Sequence, residues 1–181
     1  MKNTIKKISI VLLTGLMVMA CSSTQSLQEY YVDNAENPNF ISLDVPTSIL
    51  NLEKAELTSG ERTALESLKK LNVLAFKKTV DNADAYKEEK AKVNAILKND
   101  EFVELMKLNS GYGKGVIKYL GDEDAIDEVI IYGNSSEKGF ALIRVLGDDM
   151  KPAYILQLLQ AIQKSDYNGE GLGEIGEFLR G

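Results

Sequence analysis

The sequence predicts an α+β fold: a two-layer sandwich in which a mixed, mostly antiparallel sheet of about five strands carries helices on one face. Two observations predict it. Strand-like and helical patterns follow one another in the order β-α-β-α-β-β-β-α, so helices separate the early strands and hairpins join the late ones. A chain of 181 residues, 44% of them hydrophobic, suffices for one domain with its own core. We therefore expect a single globular domain over residues 40–164.

The first half of this domain alternates strands with helices. Its predicted elements are, in chain order, the strand Phe40–Val45, a short helix Pro46–Glu53, a helix that begins at Thr58 and includes Leu68, and the strand Leu71–Lys78. Thr58 and Glu61 have the spacing of a capping box, which is typical of a helix N-terminus. The connection between the two strands can then be a right-handed crossover that joins them in parallel.

The second half begins with the longest predicted helix and continues with strands joined by hairpins. Its predicted elements are the helix Asp81–Asn99, a helical piece capped by Asp100 with Phe102, Leu105 and Met106, the strands Val116–Leu120, Ile126–Tyr132 and Phe140–Leu146, and a helix with Pro152 in its first turn. The segments 121–125 and 133–139 have the length of hairpin connections, so the last three strands should pair antiparallel.

The N-terminal region has the order of a secretory signal peptide. Three lysines precede an apolar run, Ile8–Ala20, that is shorter than a membrane-spanning helix. The run ends in Val18-Met19-Ala20-Cys21, which resembles a bacterial lipobox. The resemblance implies cleavage before Cys21 and a diacylglycerol on its sulfur. We therefore predict a signal peptide over 1–20 and lipidation at Cys21, the single cysteine.

Polar segments flank the predicted domain on both sides. Residues 21–39 should form the lipidated cysteine and a tether, within which Tyr30, Tyr31 and Val32 dock onto the edge of the domain. Residues 165–181 form a tail rich in glycine and acidic residues. The tether would let the domain stand away from the bilayer.

The charge of the chain argues against nucleic acid as a partner. The net charge is −6, and removal of the three signal-peptide lysines leaves −9. An acidic domain is repelled by phosphate backbones and by anionic headgroups. Attachment to a membrane should therefore depend on the lipid at Cys21.

The absence of histidine and the single cysteine exclude several chemistries. Ser-His-Asp and Cys-His catalysis, zinc sites of the usual Cys/His kind and structural disulfides all need residues that the mature chain lacks. We predict no catalytic residue, no metal site and no cofactor.

Two sequence motifs suggest reactive sites but have simpler interpretations. Ser67-Leu68-Lys69-Lys70 and Ser135–Lys138 match the Ser-x-x-Lys pattern of penicillin-recognising acyl enzymes, but the companion Ser-Asp-Asn and Lys-Thr-Gly motifs are missing. The first match is better explained as the exposed face of a helix. Gly111–Gly115 looks like a phosphate loop, yet it precedes a strand rather than a helix, so we interpret it as a flexible connection.

Charged residues also admit two interpretations each. Asp122–Asp124, with Asp127 and Glu128 nearby, lacks the order of a calcium loop and is better explained as an acidic hairpin turn. Asp81–Lys92 has the mixed charges of a solvated helix face. Arg144 lies within an apolar strand. An outward-facing or edge position is the favoured interpretation, and a buried pairing with an acid is the alternative.

From Ser26 onward the chain resembles a family of small Bacteroidetes lipoproteins known as domain of unknown function 4252. The likeness is carried by Ser26-Leu27-Gln28-x-Tyr30-Tyr31-Val32, Phe40-x-x-Leu43 to Leu50, Leu71–Lys78, the strand pair around Ile131 and Phe140, and Leu146-Gly147-Asp148. It implies a lipoprotein topology and brings no catalytic residue or cofactor. In that phylum acidic residues after the lipidated cysteine direct some lipoproteins to the cell surface. Ser22–Gln25 contains none, so the resemblance implies the periplasmic face of the outer membrane.

These observations favour a non-catalytic binding or accessory module of the cell envelope. It is anchored through Cys21 and binds an envelope protein. Two alternatives stay open: a carrier of a small ligand or lipid between sheet and helices, and a glycan-active enzyme that uses two carboxylates alone.

Overall fold

The computed structural model describes residues 25–46, 58–110, 113–153 and 157. Its elements are, in chain order, α1 Leu27–Asn34, β1 Phe40–Pro46, α2 Ser59–Glu66, β2 Leu68–Lys77, α3 Ala83–Ile96, β3 Val103–Ser110, β4 Gly113–Asp122, β5 Ala125–Ser135 and β6 Gly139–Met150. The six strands form one sheet in the order β1-β2-β6-β5-β4-β3. The predicted α+β sandwich is confirmed, with six strands where the sequence predicted about five.

All five strand pairings in the described sheet are antiparallel. The predicted parallel pairing of the first two strands is therefore wrong. Pro46 at the end of β1 lies opposite Lys70 near the start of β2, so the chain leaves one strand and enters the next at the same end of the sheet. No crossover is needed for such a connection.

Three predicted segments lie wholly or largely outside the described residues. Of the helix predicted over Pro46–Glu53, only Pro46 is described, as the last residue of β1. Of the helix predicted around Pro152, positions 152, 153 and 157 are described and are helical. The predicted tail, 165–181, is not among the described residues.

The helix predicted after Asp100 is in fact the edge strand β3. The pairing of β3 with β4 shifts register between Glu104 and Met106. Leu105 and Met106, which are adjacent in sequence, both pack against one apolar cluster. A bulge of this kind interrupts the two-residue period of a strand. The remaining spacing of Phe102, Leu105 and Met106 imitates a helix.

The segment predicted as a tether contains helix α1. Ser26 and Glu29 form a capping box at its start, with Ser26 Oγ accepting from the Glu29 N–H at 3.2 Å and the Ser26 N–H donating to the Glu29 carboxylate at 2.8 Å. Leu27, Tyr30 and Tyr31 are buried on one side of the helix, whereas Val32 is 65% exposed, so the predicted docking holds for the two tyrosines and is wrong for Val32. Because α1 packs into the core, Leu27–Asn34 belong to the folded domain, which the sequence predicted to start only at residue 40.

One face of the sheet, which we call the helix face, packs against α1 and α3. Its centre is aromatic: Phe40, Phe76 and Phe140 lie side by side on β1, β2 and β6, and their ring centroids are 5.1 to 6.0 Å apart. Buried residues of the two helices complete this cluster, among them Tyr30 and Tyr86. The predicted helix Asp81–Asn99 corresponds to α3, in which Tyr86, Val93 and Ile96 are buried.

Helix α2 lies on the opposite face of the sheet. Ala64 is buried there with Ile117 and Val129, and Leu65 packs against the same cluster. The prediction that the helices share one face of the sheet therefore holds for α1 and α3 and is wrong for α2. The capping box of Thr58 and Glu61 is confirmed, and Leu68 belongs to β2 rather than to the helix.

Candidate functional site

The predicted lipidation residue, Cys21, lies outside the described residues, together with the signal peptide predicted over 1–20. The described chain begins at Gln25, and α1 begins at Leu27. Within the described part no helix is long and apolar enough to cross a membrane. Helix α1 is therefore the described element that lies nearest to Cys21 in the sequence, and its side chains contact the sheet.

A buried arginine joins α1 to the sheet. Arg144 lies on the central strand β6 and is 8% exposed. Its Nε and Nη2 donate to the two carboxylate oxygens of Glu128 at 2.5 and 2.7 Å, and its Nη1 donates to the Gln28 side chain on α1. The Tyr31 ring lies 5.3 Å from the guanidinium carbon, within the range of a cation–π contact. We call these four residues the Arg144 network.

The strand register brings the two charges together. Arg144 lies opposite Ile130 of β5, and Glu128 is two residues along the same strand. Diagonal neighbours of this kind share a face of the sheet and are within reach of long side chains. On the other side of β6, Arg144 lies opposite Asn72 of β2. A polar row therefore runs across the helix face beside the aromatic cluster.

The row continues to the sheet edge through Asn72 and Asp44. The Asn72 side-chain amide donates to the Asp44 carboxylate, and the Lys70 ammonium forms an ion pair with it at 2.7 Å. The Lys70 ammonium is the main reason why the pKa of Asp44 lies below its usual value. Asp44, at this end of the row, is exposed, whereas Asn72 is buried.

The protonation states in the Arg144 network suit a structural role. Burial opposes the charge on Arg144, but the hydrogen bonds and charge of Glu128 outweigh it, and the pKa of Arg144 is raised. Burial holds the pKa of Tyr31 well above its usual value. Its neutral hydroxyl donates to the Leu142 carbonyl at 2.6 Å. Neither Arg144 nor Tyr31 is thus held in a state suited to proton transfer near neutral pH.

The favoured interpretation of Arg144 is therefore wrong, and the alternative of a buried pair is confirmed. The outward or edge position fails because β6 lies between β2 and β5, with α1 packed over the helix face. In a buried position a charge needs a partner, and Glu128 supplies it with two parallel hydrogen bonds.

The Ser-x-x-Lys matches do not bring serine and lysine together. Ser67 follows α2 and its hydroxyl donates to the Ala64 carbonyl at 2.7 Å, while Lys70 lies on β2, so the motif is not on one exposed helix face as predicted. Ser135 ends β5, and its Oγ accepts from the N–H groups of Glu137 and Lys138 at 3.3 and 3.4 Å. Both hydroxyls act within local turns.

The remaining motifs lie at the ends of strands. Of the glycine loop, 111–112 lie outside the described residues and Gly113 begins β4, so the loop precedes a strand as predicted. Asp122 ends β4 opposite Ala125 of β5, which confirms the acidic hairpin turn. Within the described ranges no group of three or more acidic, histidine or cysteine side chains is arranged to hold a metal ion. The mixed-charge segment Asp81–Lys92 begins two residues before α3 and continues along it, and Asp84 there pairs with Lys87 in an exposed ion pair.

Sequence reasoning missed Gln28 and Glu128 as partners of Arg144. The helix that positions Gln28 does leave a signal: Ser26 and Glu29 have capping-box spacing, and the buried residues Leu27, Tyr30, Tyr31 and Asn34 follow the helical period. The contact between Gln28 and Arg144 leaves no signal in the sequence, because the two residues are 116 positions apart in the chain.

A family model matches most of the chain. The model is that of a domain of unknown function, DUF4252, and it covers residues 30–158, from the middle of α1 to beyond β6. No curated protein and no solved structure matches the chain.

Proposed function

The chain belongs to the family DUF4252, and we propose that it is a lipid-anchored protein of the bacterial envelope whose folded domain binds another protein without catalysing a reaction. One observation carries the proposal. The lipobox-like Val18-Met19-Ala20-Cys21 ends only six residues before Leu27, the first residue of a helix that is packed onto the sheet. A lipid on Cys21 would hold this domain directly at a bilayer.

The length of the intervening segment supports a close attachment. Ser22–Ser26 contains five residues, which reach about 17 Å when fully extended. The side chains of α1 are bound to the rest of the domain through Gln28, Tyr30 and Tyr31. The anchored domain would thus stay within about 17 Å of the headgroups, whereas the tether predicted over 21–39 would have let it range further.

Support for a binding role comes from how the reactive side chains are used. Ser67 and Ser135 act in turns, and Arg144 and Glu128 bind each other. A ligand carrier would need room between sheet and helices, and the rings of Phe40, Phe76 and Phe140 fill that layer by contact with one another. Binding through the outer surface of the sandwich is therefore the function we favour.

Acyl labelling tests the anchor. Cells that express the full chain are fed an alkyne-bearing fatty acid, and the protein is then examined for label and fractionated. We expect the wild type to be labelled and to sediment with membranes, and Cys21→Ala to lose both properties. Ser22→Ala is the matched control and should behave as the wild type. A wild-type protein that stays unlabelled and free of membranes would contradict the anchor.

Crosslinking in intact envelopes tests the binding role. A photoreactive amino acid on the outer surface of the domain should give a discrete crosslinked species, reproducible in membrane fractions of the wild type. The same probe in Cys21→Ala should give less of that species, because the protein is no longer held at the bilayer. Absence of any discrete species from several surface positions would count against a binding module.

A further inference from the structure

Four lysines surround the turn between β5 and β6. They come from the residue after β2, from α3, from β4 and from the turn itself: Lys78, Lys90, Lys114 and Lys138. We call them the lysine cluster. The Lys78 N–H donates to the Lys138 carbonyl at 2.9 Å. Lys77, opposite Gly139, follows Phe76 in β2 and therefore faces the other side of the sheet, so it is not a member. Lys114 of β4 lies opposite Asn134, the residue before the last one of β5.

A buried tyrosine holds two of the ammonium groups together. The Nζ atoms of Lys78 and Lys90 lie 5.0 and 5.6 Å from the centroid of the Tyr86 ring. The Tyr86 hydroxyl donates to the Ser135 carbonyl at 3.0 Å, which ties α3 to the turn. Contact with the ring face offsets part of the cost of bringing two like charges close. The ring does not neutralise either charge.

The lysine cluster differs from most of the other described lysines in its lack of acidic partners. Lys69, Lys70, Lys87, Lys92 and Lys107 each form an ion pair. Within the described ranges no member of the lysine cluster does so, and the Lys78 ammonium donates to the Ser136 carbonyl. Four acids lie within three residues of these lysines in the chain: Glu89 pairs with Lys92, and Asp81, Glu88 and Glu137 form no ion pair within the described ranges. A chain of net charge −6 thus places four lysines together at one end of its sheet.

We propose that the lysine cluster is a docking surface for a carboxylate-rich segment of another protein. This rests on the proposed function as an anchored binding module, and it adds the surface and the chemistry of the partner. Complementary charge at exposed groups raises the rate and the selectivity of association. Lysine suits such a surface because its ammonium is a compact charge that can donate hydrogen bonds to carboxylates from many directions.

The position of the lysine cluster argues against the protein's own bilayer as the partner. The first turn of α1 contacts Arg144, which is five residues along β6 from Gly139 at the turn. In a strand five residues span about 17 Å. The chain from Cys21 enters α1 at that remote end, so the anchored domain would direct the lysine cluster away from the headgroups.

Among the described residues, the lysine cluster also lacks the exposed aromatic ring that a glycan site uses. Sugar rings stack on exposed aromatic faces, but Tyr86 is 6% exposed and lies beneath its lysines. The nearby rings of Phe76 and Phe140 are fully buried. Among the described residues the surface thus offers positive charge but no exposed ring for stacking. Positive charge is what an acidic peptide segment needs.

Peptide binding tests the proposal. The full chain is purified in a neutral detergent, and its binding to a fluorescein-labelled decaglutamate peptide is followed by fluorescence anisotropy at low salt. The triple variant Lys90→Gln/Lys114→Gln/Lys138→Gln should bind at least about tenfold more weakly than the wild type. The matched control Lys98→Gln/Lys107→Gln/Lys151→Gln has the same net charge and should bind as the wild type. Raising the salt concentration should weaken the wild-type complex.

An arginine variant and a vesicle-binding measurement distinguish the remaining explanations. The corresponding triple lysine-to-arginine variant keeps the charge and should keep binding, which separates charge loss from misfolding. Equal binding by the cluster variant and the control would overturn the proposal. So would tighter, cluster-dependent binding to vesicles that contain phosphatidylglycerol, because the surface would then be a membrane site. Acyl labelling at Cys21 is independent of all these results, so failure here leaves the anchor intact.

Discussion

Arg144 matters to stability mainly because its removal would leave the carboxylate of Glu128 without a partner. Its guanidinium binds the partly buried carboxylate of Glu128, the amide oxygen of Gln28 and the face of Tyr31. A buried ion pair adds little over an apolar pair of the same shape, because both charges lose their hydration. Removal of one partner, however, leaves the other charge buried without compensation.

Arg144→Met should therefore lower the free energy of unfolding by up to about 3–5 kcal/mol, since the partly buried Glu128 carboxylate loses its partner. Urea denaturation followed by circular dichroism measures the change. Arg144→Met/Glu128→Leu should recover a large part of it. Lys87→Met is the control, because its ion pair with Asp84 is exposed, and it should unfold close to the wild type. A single variant as stable as the double variant would show that Glu128 escapes to solvent.

Gly139 is a residue whose small size the fold requires. Its φ is +123°, and a Cβ there would lie 1.9 Å from the Phe76 carbonyl oxygen. Gly139→Ala should therefore destabilise the domain by at least about 2 kcal/mol, through backbone strain and displacement of β2. At Gly133, on the same hairpin, a Cβ would meet nothing within 4 Å, so Gly133→Ala should change stability by less than about 0.5 kcal/mol. Equal melting temperatures for the two variants would contradict the register of β2 and β6.

At the scale of the elements, the sequence predicts most strands because one face of each is buried. The strand predicted at Phe40–Val45 is β1, and the hairpin of β5 and β6 appears where the turn length placed it. Periodicity fails at β3, where the bulge near Leu105 breaks the alternation. At α1 the helical period is present but covers only eight residues, which is too short to distinguish a helix from a tether.

The arrangement of the elements is harder to predict than the elements themselves. Strand order depends on contacts such as that of β2 with β6, in which Phe76 lies opposite Phe140. Apolar patterns specify that a face is buried, but they do not specify against which strand or helix. For the same reason the side of the sheet occupied by α2 could not be derived, because its small apolar stripe around Ala64 fits either face.

Helix α1 should contribute to stability through one side only. Tyr30 is fully buried and its hydroxyl donates to Glu89 of α3 at 2.8 Å, so Tyr30→Ala should cost about 3–5 kcal/mol through a cavity and a lost hydrogen bond. Val32, two residues along the same helix, is 65% exposed, and Val32→Ala should stay within about 0.5 kcal/mol. Thermal melts of both variants provide the comparison. Similar melts would indicate that α1 does not pack against the sheet and belongs to the tether predicted from the sequence.

At the scale of the whole molecule, the buried tyrosines link stability to alkaline pH. Burial, followed by the hydrogen bond to Glu89, raises the pKa of Tyr30, and burial likewise raises the pKa of Tyr31 and of Tyr132. All three belong to the cluster on the helix face. In the unfolded chain a tyrosine ionises near pH 10, whereas these residues stay neutral in the folded protein. Their contribution is therefore complete below about pH 10 and is lost as the pH rises above it.

Between pH 8 and pH 10 the urea midpoint should change little, and above about pH 10 stability should fall steeply, by up to about 1.4 kcal/mol per pH unit for each buried tyrosine. Tyr132→Phe isolates one of them. The Tyr132 hydroxyl is buried and has no hydrogen-bond partner in the described structure, so its removal should leave stability at pH 7 unchanged or slightly higher. The same variant should lose less stability than the wild type between pH 10 and pH 11. A midpoint that stays level up to pH 11, or an identical fall in the variant, would mean that Tyr132 is open to solvent and that the helix face is less tightly closed than its packing indicates.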